Sequence, residues 1–87
     1  MIDAKIYERY AGQYETPMGL LMVTREGDKL MAQPKGEQKF ELAPLSETHF
    51  SAATVGAQIT FVKDGRGRVT HLLVNVNGKD MQGRKIK

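Results

Sequence analysis

The sequence predicts an all-β domain: a small antiparallel up-and-down β-barrel or strongly curved half-barrel of seven or eight strands, with one short N-terminal helix. Three observations carry that prediction. Apolar residues recur mostly at every second position, the period of a strand, from about residue 12 to residue 86. Nine glycines and three prolines cut the chain into short segments. The connections between segments are tight turns, which force successive strands to run antiparallel and side by side. A meander of that many strands buries its one apolar face best by curling until it closes or nearly closes.

At 87 residues the chain reads as one domain, 1–87, with a short helix and lead-in over 1–11 and the meander over 12–86. "DAKIYERYAG" opens with Asp3, a residue type that caps helix starts, and sets Ile6, Tyr7 and Tyr10 on one face before Gly12. About two turns fit there, too few to persist alone. The helix must therefore lie against the sheet, where it can plug one end. The tyrosines of "YERYAGQYETP" begin at helical spacing, but the period changes at about Tyr10. Tyr7 belongs to the helix, Tyr10 to the joint and Tyr14 to a first strand, "GQYET", stopped by Pro17.

"GLLMVTREGDKLMAQP" is the clearest hairpin: Leu21 and Val23 share a face, "EGDK" turns, and Leu30 and Ala32 return. Pro34 to Gly36 turn the chain into "KFELAPL", where Phe40 and Leu42 face one way. "SET" is the next turn, "HFSA" a short strand anchored by Phe50, and "AATVGA" a loose connection ending at Gly56. "QITFVKD" places Ile59 and Phe61 opposite Gln58, Thr60 and Val62, and "DGRGR" turns again. In "VTHLLVNVNG" the phase slips, since Val69 and Leu73 do not match Leu72, Val74 and Val76; a bulge is expected near Thr70 or His71. Asn77-Gly78 is a strong hairpin signal, and "KDMQGRKI" a last, weaker strand. If that strand does not close the barrel, a free edge could pair with a second copy.

Hydrophobic residues at 40% and charged residues at 26% exclude wholesale disorder. The absence of cysteine excludes disulfides and thiolate metal sites. No apolar run approaches a membrane span, so the chain is expected to be soluble, and no leader opens it. The compartment stays open; a periplasmic or secreted parent would carry its signal outside these residues. The net charge of +3 is uneven. Residues 1–44 hold six Lys/Arg against seven Asp/Glu, and residues 45–87 hold seven against three. A basic half can meet an anionic partner, although solvated strands and turns explain it as well.

No catalytic, cofactor or metal site emerges from the motifs. Ser46 and Ser51 stand in neither a Ser-x-x-Lys nor a Gly-x-Ser-x-Gly setting. Gly65-Arg66-Gly67 joins two strands and does not open a helix, so it is a turn, not a phosphate loop. His49 and His71 lack further ligands at a recognisable spacing and read as polar surface positions. Glu8, Glu15, Glu26, Glu37, Glu41 and Glu47 fall in turns or on outward positions. Nucleic-acid binding is not expected. Lys63, Arg66, Arg68, Lys79, Arg84, Lys85 and Lys87 are basic, but Phe40, Phe50 and Phe61 alternate as core residues do. An eight-stranded barrel can also hold one small ligand. The barrel-interior candidates for such a site are Tyr14, Val23, Phe40, Phe50 and Phe61, with Leu21, Leu30, Leu42, Ile59 and Val74 on the same wall. With so few large side chains, a packed core is the plainer expectation.

The order of motifs resembles a known family. "YAGQYE", "LMVTREGDKLMAQ", "FELAPLSETHF", "QITFVKDGRGRVTHLLV" and "NGKDMQGRKI", spanning about residues 7–86, resemble the uncharacterised lipocalin-like C-terminal domain found behind serine β-lactamase-like and penicillin-binding-protein-like hydrolases. The resemblance implies a β-barrel without catalytic residues of its own. It would act in enzyme assembly or active-site access, with a hydrolase domain in the same or another chain as partner. The matching positions Tyr10, Gly12, Tyr14, Phe50, Phe61 and Gly78 would be structural. The chain departs from the pattern in its basic C-terminal tail and in carrying no hydrolase, so it is either an excised domain or a stand-alone relative. The alternative function is a carrier of a small hydrophobic ligand.

Overall fold

A computed structural model describes residues 6–87, which leaves the expected cap, Asp3, outside the described residues. The helix α1, Tyr7–Tyr10, is a single turn among the described residues, and the first part of the two turns expected lies outside them. Ala11 has already turned extended, and its N–H donates to the Tyr7 carbonyl at 3.0 Å. So short a helix has no stability of its own. It exists because Tyr7 and Tyr10 are buried against the sheet.

The strands are β1 (Gly12–Thr16), β2 (Gly19–Glu26), β3 (Lys29–Pro34), β4 (Phe40–Pro44), β5 (His49–Ala52), β6 (Ala57–Lys63), β7 (Val69–Val76) and β8 (Lys79–Lys85). A one-turn 3-10 helix, Ala53–Val55, lies between β5 and β6. All eight strands pair in sequence order, and β8 pairs with β1 to close an antiparallel barrel. The closing register is short, Tyr14 with Lys85 and Glu15 with Arg84. It is extended by Gln13 N–H to the Lys87 carbonyl (3.4 Å) and Ile86 N–H to the Gln13 carbonyl (2.8 Å). Gly12 makes that approach feasible: at its φ of 151°, a Cβ would lie 2.2 Å from the Lys87 carbonyl oxygen. Closure corrects one conditional expectation. Among the described residues the sheet has no free edge strand, so self-association through an edge loses its basis.

Two local features follow the sequence closely. The Asn77-Gly78 turn has φ of 53° and 78°, the pair of positive values that a twisted two-residue hairpin needs. The expected bulge sits at Thr70: Val62 pairs with His71 and Lys63 with Val69, leaving Thr70 without a partner. The extra residue returns Val69 to the inner face that Leu72 also occupies, and Leu73 points outward.

In an up-and-down barrel alternate connections share an end. One end carries α1, the turns at 27–28, 45–48 and 64–68, and residues 86–87; the other carries the turns at 17–18, 35–39, 53–56 and 77–78. The helix end is filled with aromatic rings. Tyr10 stacks on Phe61 at 4.3 Å and 2° between planes. Phe50 meets Tyr7, Tyr10 and Phe61 edge-on at 5.5–5.9 Å, and Tyr14 meets Phe61 at 5.9 Å. Leu30, Leu42, Val23 and Leu72 complete this core. Five of the six aromatic residues thus crowd one half of the lumen, and only Phe40 is left for the other.

Candidate functional site

The uneven filling of the lumen creates the site. Strand alternation points Leu21, Ile59, Val74 and Val76 inward at the end away from the helix, and the connections there supply Met18 and Val55. These aliphatic chains are too small to fill a barrel of this width. A mouth of about 270 Å³ remains, walled mainly by Leu21, Phe40, Val55, Ile59, Val74 and Met81, with Thr16 and Glu37 as its polar members. Met18 at 81% and Val55 at 48% exposure leave the rim open to solvent. The space exceeds the roughly 150 Å³ of an apolar cavity that binds benzene and falls just below the roughly 300 Å³ where drug-sized sites begin.

Of the five interior candidates read from sequence, Phe40 lines this mouth. Tyr14, Val23, Phe50 and Phe61 are each at most 2% exposed and belong to the core on the helix side. Sequence reasoning missed Met18, Val55 and Met81. The first two come from connections, and alternation along strands gives no signal for which connections fold over a barrel end.

The tyrosine hydroxyls are structural in their contacts. Tyr14 donates to the Tyr10 carbonyl at 2.7 Å, and Tyr10 donates to the carbonyl of Glu47. Burial pushes the Tyr14 phenol well above its ordinary value, with the nearby Tyr10 adding to the effect. Burial also raises Tyr10, reinforced by Glu47 and opposed by Arg9, and raises Tyr7. Ser46 Oγ accepts from the N–H groups of Thr48 (3.3 Å) and His49 (3.1 Å), while the His49 ring faces Gln58 at 3.0 Å. That geometry closes a turn and does not pair a nucleophile with a base. His71 Nδ1 lies 2.9 Å from the Thr70 hydroxyl. Among the described residues, no group of three or more His, Asp or Glu is placed to hold a metal ion. No helix among them is long and apolar enough to cross a membrane.

The cations divide between the ends. Lys63, Arg66, Arg68, Lys85 and Lys87 lie toward the helix end, and Lys79 follows the 77–78 turn at the other. Lys63 Nζ stands 5.4 Å from the centre of the Tyr10 ring, within cation–π range. The aromatic rings on that side are buried, so they offer no exposed platform on which bases could stack.

Penicillin-binding protein 4* of Bacillus subtilis (strain 168) is 36% identical over 61 residues, which cover 69% of this chain and 14% of that protein. The chain therefore spans about one seventh of the length of this curated relative. No solved structure matches the chain. A family model described as a domain of unknown function (DUF3471) matches residues 1–85. A match that runs from before the helix to the last residue of the closing strand makes this barrel a member of the DUF3471 family.

Proposed function

We propose that this domain is a non-catalytic accessory module of a serine β-lactamase-like hydrolase, acting in assembly of the enzyme or in access to its active site. The observation that carries the reading is the similarity between 61 residues of this chain and a 14% portion of a penicillin-binding protein. Two features of the barrel support it. The Ser46 hydroxyl closes a turn, the His49 ring meets Gln58 across the strand pair and the His71 ring meets the adjacent Thr70 hydroxyl, and the barrel's ends offer surfaces to a neighbour. The hydrolase partner lies in the same or another chain, and such a parent is periplasmic or secreted. The test removes the domain from a hydrolase that contains it and follows hydrolysis of a chromogenic β-lactam or ester. The expected result is a raised KM or a lowered melting temperature on removal, with no turnover by the 87-residue chain alone. Turnover by the isolated chain, or a hydrolase indifferent to the loss, overturns the reading.

The apolar mouth favours a second reading, a lipocalin-like carrier of a small hydrophobic ligand, for which Phe40 is the sequence-derived candidate on the wall. Native mass spectrometry in the presence of hydrophobic probes decides it: a bare mass throughout rules it out.

A further inference from the structure

At the helix end a second concavity of about 440 Å³ is lined by Arg9, Arg66, Gly67, Arg68, Val69 and Lys85. We propose that this cleft is an anion-binding site for a compact small molecule bearing carboxylate or phosphate groups. The inference stands apart from the accessory reading, because it concerns the barrel alone.

Four cations converge here from three separate stretches of chain: α1, the β6–β7 turn and the end of β8. Among the described residues no carboxylate lines the cleft. The salt bridges among the described residues join Arg25 to Glu8, Lys29 to Glu41 and Lys39 to Glu26, and engage none of the four. The carboxylate nearest in sequence, Asp64, is turned into its own loop. Its Oδ1 accepts the N–H groups of Arg66 (2.8 Å) and Arg68 (3.0 Å), which hold the Asp64 carboxyl below its ordinary value. Asp64 N–H donates to the Arg68 carbonyl at 2.8 Å, and Gly67 N–H to the Asp64 carbonyl at 3.1 Å. The loop that presents the two arginines is thus fixed by four hydrogen bonds. Glu47 lies near Tyr10 but is not part of the lining. Lys85 spends one of its three donors on the Lys87 carbonyl.

Like charges gathered round a concavity repel one another, and the field they focus falls on whatever anion enters. Guanidinium forks match the planar oxygens of carboxylate and phosphate. Gly67, at a φ of 79°, makes the left-handed turn between the two arginines, and Arg9 Nη1 lies close by, 3.9 Å from where a Cβ would stand. The volume falls in the range of about 300–1,000 Å³ typical of small-molecule sites.

The experiment is an amide NMR titration of the chain with inorganic phosphate and, separately, with citrate. The expected result is saturable shifts confined to Arg9, the 64–69 segment and Lys85. Arg66→Ala and Arg68→Ala should each weaken binding about tenfold, the loss expected for one charge-assisted hydrogen bond. Arg84→Ala, a cation of the same strand as Lys85 that does not line the cleft, should leave it unchanged. Preference for phosphate or for citrate names the ligand class, and either supports the site. Non-saturating shifts spread over all cations, indifference to the Arg66 and Arg68 variants, or binding of an oligonucleotide but of neither small anion overturns it.

Discussion

Tyr10 ties three parts of the molecule together. Its ring stacks on Phe61 of β6, its hydroxyl reaches the carbonyl of Glu47 in the β4–β5 turn, and its own carbonyl receives the Tyr14 hydroxyl from β1. The helix-to-strand joint is thus held by side chains, where a longer helix would be held by its own backbone bonds. Tyr14→Phe keeps the ring but strands the Tyr10 carbonyl in a buried setting. It should lower stability by about 1–3 kcal/mol, read as a fall in urea midpoint with unchanged slope. The sequence placed Tyr10 at the joint from the change of period alone. It held no sign of Glu47 as partner, because a contact 37 positions away leaves no local pattern.

At the scale of elements, β8 was expected to be the weak strand and is weak on one side only. It pairs with β7 over six positions but with β1 over two. Gly83 explains how it fits. It sits opposite Leu72, and a Cβ there would lie 2.9 Å from Thr16 Cγ2 and 3.0 Å from Leu72 Cδ1. Gly83→Ala should therefore destabilise by about 1–3 kcal/mol through overpacking at the closing seam. Hydrogen exchange should show the loss first at the β1–β8 amides. The bulge at Thr70 was legible because apolar phase records it directly along one strand. Closure was not, because β1 and β8 stand at opposite ends of the sequence, and nothing local distinguishes a barrel from a deeply curved sheet.

For the whole molecule, the distribution of aromatic residues sets both stability and shape. Three tyrosines whose phenols are raised by burial stabilise the fold in their neutral form. For an acid of raised folded-state value, that stabilisation is complete below the unfolded value, about 10, and is lost as pH climbs from there toward the folded value. Stability should hold to about pH 9 and fall above pH 10, with unfolding and tyrosinate absorbance rising together. Tyr14→Phe should blunt the alkaline loss. The same crowding of rings at one end leaves the aliphatic mouth at the other. Phe40 was legible as a wall residue by alternation. Which inward residues fill the lumen and which border open space depends on the end of the barrel each reaches, and that is known only once the register is closed.

The seam at Gln13 and Lys87 has a further consequence for how such a domain can be built into larger chains. Because Gln13 bonds both Ile86 and Lys87, the polypeptide enters and leaves the barrel side by side, at the end that also bears Arg9, Arg66 and Arg68. With a linker that reaches from Lys87 to the residues ahead of α1, a cut at Asn77-Gly78 would yield a circularly permuted chain with the same ladder of strands.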